Sequence, residues 1–388
     1  MYQELDYMNL DSILTEEEKQ IKQMVRKFVT NEYMPTVSEN YEKGHFDRSI
    51  VPKLGELGLL GSTLPEKYGC ANLSNISYGI INQELERGDS GLRSFASVQS
   101  SLVMYPIFAF GSEEQKDKWL PKLAKGEAIG CFGLTEPDHG SDPSSMITNA
   151  KDKGDHYLLN GAKMWITSGS IADIAIVWAK LDGGKVRGFL VETNLEGFTQ
   201  PEIKAKYSLR ASVTSELVFD NVKVPKDAIL PKVEGLKGPL SCLTQARYGI
   251  SWGAIGAAQA CFDEALNYTK ERSQFGKPLA QFQLTQKKLA EIATEITKAQ
   301  LLSYQLGKLK DAGTFTPAQV SMAKMNNVQI ALDAARTTRN MLGANGVSSE
   351  YQSMRHMCNL ESVYTYEGTH EIHSLVVGME VTGLNAFK

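Results

Sequence analysis

Toward the C-terminal end of the sequence a carboxylate is followed at once by glycine, in the run Thr365-Tyr366-Glu367-Gly368-Thr369-His370. Glycine adds no side-chain bulk, so the backbone there can pass close to a bound ligand and set the glutamate against it. Buried beside apolar groups, such a carboxylate is a candidate general base. By composition alone a loop glutamate is more often a surface residue, and the context around Glu367 tips the balance toward chemistry. Two further stretches stand out: Leu134-Thr135-Glu136-Pro137 with Gly140-Ser141-Asp142, and Trp165-Ile166-Thr167. Arg93, in Ser90-Gly91-Leu92-Arg93-Ser94, has the forked geometry that pairs with a terminal carboxylate. A solvated arginine at a helix end is an equal alternative, and Ser94, Ser97 and Glu86 nearby favour a polar pocket wall. His370 and His373 have helical metal-pair spacing but no third ligand, so no metal is expected. No Gly-x-Gly-x-x-Gly follows a strand and no phosphate-binding Walker loop occurs, which disfavours a nicotinamide enzyme of Rossmann type.

In their order, these segments resemble those of the acyl-CoA dehydrogenases, flavoenzymes that desaturate CoA thioesters. The resemblance runs along essentially the whole chain. Ser90-Gly91-Leu92-Arg93-Ser94, Phe132-Gly133-Leu134-Thr135-Glu136-Pro137 and Ala246-Arg247-Tyr248-Gly249-Ile250 resemble the glutaryl-CoA dehydrogenase branch. The resemblance implies FAD as cofactor, with Phe132, Leu134, Thr135, Ser141, Trp165, Ile166 and Thr167 against the flavin ring. Arg272, Phe275, Gln283, Leu342, Gly343, Asn345 and Gly346 would hold the adenine and pyrophosphate end from a neighbouring subunit, and Thr369 joins the cofactor set. Taken singly, Trp165 reads as core and the glycines as helix caps. Glu367 becomes the base for an α-proton. Arg93, Ser94, Glu86, Ser141, Arg247, Tyr366 and Gly368 form the substrate set, with Arg247 beside the CoA moiety or in a helix-surface salt bridge. Glu86, Thr167 and Tyr366 match positions that tune decarboxylation. The implied partners are glutaryl-CoA, an electron-transfer flavoprotein and copies of the chain in a homotetramer. Two alternatives remain: a short-chain acyl-CoA dehydrogenase or oxidase for a non-acidic acyl group, and a non-catalytic helical binding protein.

The elements that must position these residues fall into three regions. With 388 residues the chain has room for two or three domains. Residues 1–128 read as helical. Thr15 to Glu18 is a capping box, Ile21, Met24, Val25 and Phe28 line one face, and Pro35 is expected to end that helix. Ser112 with Gln115 starts a helix carrying Trp119, Leu120 and Leu123. Residues 129–233 show short runs with frequent turn signals, including an Asn160-Gly161 turn, and predict a small antiparallel sandwich or barrel. Residues 234–388 are helical again. Leu289, Ile292, Ile296, Ala299, Leu302, Leu306 and Leu309 mark a long amphipathic helix of a bundle. Arg247 is read as following a helix start, and the uncharged stretch Tyr248 to Phe262 as buried. The fold class is α+β, of the acyl-CoA dehydrogenase kind, with a C-terminal four-helix bundle.

Bulk properties set outer bounds. A net charge of −4 offers no basic surface for nucleic acid. The uncharged run Ser94 to Ser112 is interrupted by serines, Gln99 and Pro106, so it predicts a buried helix and loop rather than a membrane span. The acidic start Met1 to Asp6 lacks the features of a secretory or transit peptide. Five dispersed cysteines, with no Cys-x-x-Cys pair, suggest a reducing compartment. The expected location is cytoplasmic, or an organellar matrix for a processed chain.

Overall fold

The computed structural model describes Asp6 and residues 8–387; the rest of the acidic N-terminal hexapeptide lies outside the described residues. Helix α1 (Glu16–Phe28) starts at the expected capping box, with the Thr15 side chain accepting from the Glu18 amide and the Glu18 carboxylate from that of Thr15. Ile21, Val25 and Phe28 are buried along its inner face. Pro35 does not end this helix. The chain passes through a π-helical turn, Val29–Tyr33, into α2 (Met34–Lys43), which carries Pro35 in its first turn and ends at Gly44 with φ 65°. After the π turn resets the hydrogen-bond ladder, the missing N–H of proline falls where donors lack intrahelical partners anyway.

Next come α3 (Ile50–Glu56), α4 (Asn75–Gly88), α5 (Ser90–Ser97), α6 (Tyr105–Phe110) and α7 (Glu113–Ala124). The uncharged run 94–112 contains no loop before Gly111: α5 continues through π-helical Val98–Met104 into α6. The Ser112–Gln115 capping box opens α7 as expected, with Trp119, Leu120 and Leu123 buried.

The middle region is one curled sheet of β1 (Gly130–Gly133), β2 (Asn149–Asp152), β3 (His156–Thr167), β4 (Ile174–Leu181), β5 (Val186–Glu192), β6 (Phe198–Thr199) and β7 (Thr214–Pro225). It is mixed rather than purely antiparallel. β4 pairs antiparallel with β5 on one side, while β1 and β2 share its other side, both parallel to it. Asn160-Gly161 is not a turn. β3 runs straight through it with a register shift, and Gly161 at φ 136° leaves room for Thr148, which a Cβ would meet at 2.6 Å. The dipeptide marks a bulge, a use of glycine that shares its sequence signal with a hairpin.

Helix α8 (Lys237–Glu271) is followed by the small hairpin β8 (Ser273–Gln274) and β9 (Lys277–Pro278), then α9 (Gln283–Asp311), α10 (Pro317–Met341), α11 (Ser353–Thr365) and α12 (His370–Thr382). Arg247 therefore lies well inside α8, not just after its start. Tyr248 to Phe262 is buried throughout, and its glycines let α8 lie against α4. A Cβ at Gly256 would come within 1.9 Å of the Gln83 carbonyl, and one at Gly253 within 2.0 Å of the Glu86 carboxylate. One apolar core runs from Ile21 on α1 to Ala323 on α10. Among the described residues no helix is long and apolar enough to cross a membrane.

Candidate active site

The loop between α11 and α12 carries Glu367. Tyr366 is extended, Glu367 adopts φ 53° and Gly368 φ 97°, and Thr369 caps α12 by accepting from the Ile372 amide. A left-handed glutamate is uncommon and costs energy, so the surroundings must impose it. Gly368 tolerates no side chain: a Cβ would meet His373 Nε2 at 2.9 Å and Arg247 Nη2 at 3.3 Å. Arg247 reaches from α8 and donates from Nε to the Glu367 carbonyl at 2.6 Å, replacing the helix-surface salt bridge that sequence left open.

The Glu367 carboxylate points inward, and its Oε2 is buried without a hydrogen-bond partner among the described residues. Burial lifts its pKa to about 7, against the opposing pull of Arg93, Arg247 and Lys324. Lacking a stabilising donor at that oxygen, the group is poised to take a proton from something brought beside it. His373 is also buried without a ring partner, and burial, with Lys324 and Arg247 nearby, holds it neutral at a pKa of about 3.

Arg93 is 1 % exposed, which removes the solvated alternative. Its Nε donates to Glu86 Oε2 at 2.5 Å and its Nη2 to the Tyr366 hydroxyl. Burial alone would lower the Arg93 pKa, but Glu86 and Tyr366 raise it. Its Nη1 makes no hydrogen bond among the described residues, so one side of the guanidinium fork stays available. Ser94 and Ser97 are buried on the same helix, and Ser97 Oγ lacks a partner. Sequence reasoning missed what sets Arg93 against Glu367. Asp89 caps α5 through the Gly91 amide at 2.7 Å, and its other oxygen holds Arg355 at 3.1 Å and Asn359 at 2.9 Å, both on α11. The helix ending at the base is thereby clamped to the joint that carries the arginine.

The expected flavin-ring residues gather at the edge of the sheet. Phe132 lies on β1, with Leu134 and Thr135 just beyond, and the Thr135 carbonyl accepts from the Met164 amide at 2.9 Å. Trp165 follows with φ 63° and 59 % exposure, between a bulge and the buried Ile166, with Thr167 paired to Thr214. The reading of Trp165 as core is excluded. Glu136, 2 % exposed, accepts from the amides of Ile147 and Thr148 and pairs with Lys163 at 2.9 Å, which fixes the loop bearing the exposed Ser141. Lys163, held down to a pKa of about 8 by burial, was invisible because its partners lie far away in sequence.

The residues expected at the adenine end lie elsewhere. Arg272, Phe275 and Gln283 surround the exposed β8–β9 hairpin, Phe275 being 94 % exposed with φ 52°. Leu342, Gly343, Asn345 and Gly346 follow α10, and Asn345 donates to Tyr268 at the end of α8. Among the described residues no hydrogen bond, ion pair or ring contact joins this set to the Trp165 set. Trp165 and Phe275 expose large aromatic rings, and among the described residues the Arg272 side chain makes no hydrogen bond or ion pair, which suits a flavin dinucleotide better than water. The described residues hold no cluster of metal-ligating side chains.

Residues 15–127, 131–222 and 234–382 match the N-terminal, middle and C-terminal domains of acyl-CoA dehydrogenase. The chain is 36 % identical to the glutaryl-CoA dehydrogenase of Desulfococcus multivorans, covering 97 % of this chain and 99 % of that one. It is also 36 % identical to the short-chain specific acyl-CoA dehydrogenase of Clostridium acetobutylicum, covering 96 % of this chain and 100 % of the relative. A crystal structure of a glutaryl-CoA dehydrogenase from Mycobacterium smegmatis in complex with FADH2 superposes with a TM-score of 0.98 at 50 % identity, covering 100 % of both chains.

Proposed function

The chain belongs to the acyl-CoA dehydrogenase family of FAD-dependent oxidoreductases acting on CH–CH bonds, and within it we propose that this protein oxidises and decarboxylates glutaryl-CoA. The observation that carries this reading is the buried Arg93–Glu86–Tyr366 cluster beside the Glu367 loop. An apolar acyl tail would gain nothing from a desolvated arginine, whereas a carboxylate at the far end of a five-carbon acyl chain would pair with its free side. That chemistry separates the glutaryl reading from the short-chain reading, which equal identity to a short-chain relative leaves open.

In this mechanism Arg93 orients the substrate carboxylate, with Ser94 and Glu86 shaping the wall and Ser141, Arg247 and Gly368 lining the path to the CoA end. Glu367 removes the α-proton. Phe132 to Thr135, Trp165 to Thr167 and Thr369 would hold FAD, which would supply the acceptor for a hydride from the β-carbon. Arg272, Phe275, Gln283 and the 342–346 segment would supply its adenine end from a neighbouring copy in a homotetramer. The carboxylate then lies on the carbon γ to the thioester carbonyl. Breaking its C–C bond releases carbon dioxide and leaves the electron pair in a dienolate conjugated with the thioester. Protonated Glu367 returns its proton to the γ-carbon, giving crotonyl-CoA, with Tyr366 and Thr167 tuning the pocket. The implied partner that would reoxidise the bound cofactor is an electron-transfer flavoprotein.

Incubation with glutaryl-CoA and an artificial acceptor should therefore yield crotonyl-CoA and carbon dioxide by mass spectrometry. Glutaconyl-CoA as the end product would remove the decarboxylation step and keep the dehydrogenation. Because the base works ionised and burial lifts Glu367 to about 7, flavin reduction by substrate should accelerate as pH rises through that value. Stopped-flow bleaching between pH 5.5 and 8.5, on the order of this range around neutrality, reads the effect. A rate that falls with pH would contradict the assignment.

A further inference from the structure

On α10, Lys324 is 1 % exposed, and its Nζ donates to the carbonyls of Tyr364, Tyr366 and Gly368 at 3.4, 3.2 and 2.9 Å. These oxygens belong to the last turn of α11 and to the loop beyond it, where a helix leaves carbonyls without intrahelical partners. A neutral amine has two N–H donors and an ammonium three, so this acceptor set matches the charged form. A cation there also meets the negative end of the α11 dipole. Lys324 has no carboxylate hydrogen-bonded to it among the described residues.

We propose that Lys324 is a positioning residue for the base: it fixes the left-handed Glu367-Gly368 turn, and its ammonium favours the ionised carboxylate. This inference rests on the reading of Glu367 as the base. The carboxylate faces Arg93 from α5, Arg247 from α8 and Lys324 from α10; Lys324 in turn faces Glu367, Arg247, Arg93 and Glu371 of α12. The neutral His373 adds no charge to this set. Burial brings Lys324 down to a pKa of about 7, with Glu367 opposing, so base and lysine exchange influence in the same pH range.

The test is carried out on the FAD-loaded protein with Lys324→Met and Lys324→Arg. Substrate bleaching is followed against pH, and hydrogen exchange is measured over residues 362–369. In Lys324→Met the midpoint of the pH rise should move up by about one unit, roughly a tenfold lower rate on the acid side, with faster exchange in the loop. Lys324→Arg should restore the midpoint. Should Lys324→Met fail to fold, Lys324→Gln, which keeps donors without the charge, should show the same displacement. A lower plateau at an unmoved midpoint, or a loop exchanging at the parent rate, would overturn the proposal. Failure of the underlying reading looks different: the unsubstituted protein itself would show no rise with pH.

Discussion

Replacing Glu367 with glutamine is expected to leave FAD and CoA-thioester binding largely intact while substrate no longer bleaches the flavin. The amide is nearly isosteric and fits the same left-handed turn, whose shape depends on Gly368, Arg247 and Lys324 rather than on the carboxylate. It cannot accept a proton. Loss of a general base costs about 10²–10⁴-fold, and more where no water can substitute. Other carboxylates near the loop are otherwise placed. Glu86 is engaged by Arg93, and Glu371 is exposed on α12. Stopped-flow reduction with glutaryl-CoA, paired with a CoA-binding measurement, checks both halves. Reduction at the parent rate would place the base elsewhere.

The second large effect is one of selectivity. Arg93→Met should weaken turnover of glutaryl-CoA far more than that of butyryl-CoA, because a substrate carboxylate would then enter a pocket with no cation to receive it. Truncating one partner of a buried, hydrogen-bonded charge pair costs about 2–5 kcal/mol. The same change strands Glu86, whose side chain is fully buried, so a stability loss accompanies the selectivity loss. Combining Arg93→Met with Glu86→Gln removes that stranded charge and isolates the effect on substrate. The ratio of kcat/KM values for the two thioesters is the readout. Equal losses for both would assign Arg93 a structural role and favour a short-chain substrate.

Features written in adjacent residues were legible from sequence. The capping boxes at Thr15 and Ser112 depend on side chains three residues apart, and both form. Gly368 read as room for a ligand, whereas in the structure a Cβ there would collide with His373 and Arg247. Pro35 and Asn160-Gly161 misled because each has two structural uses, and only the neighbouring ladder decides between them. Asp89 and Lys324 were illegible for another reason. One reaches Arg355 and Asn359 across more than 260 residues, and the other grips backbone carbonyls, which carry no residue-type signal. What sequence named were the groups that could react; what it hid were the groups that hold them still.

The close approach of α8 to α4 has a consequence for how the chain is made. Gln83 and Gly256 meet across a gap that only hydrogen can occupy, yet the whole sheet lies between them in sequence. Ile21, Ile81, Trp252 and Leu306 share one core, so the early helices complete the burial of their inner faces only after α8 has been synthesised. At about 5–20 residues per second, a ribosome takes roughly ten seconds or more to cover that distance. During this interval the nascent helices expose apolar surface while the sheet, complete within its own span, can pair its strands. The sheet is thus an insertion within a single helical body. Closure of the sheet ahead of the helices would bring the two ends of that body together and shorten the search for their long-range contacts.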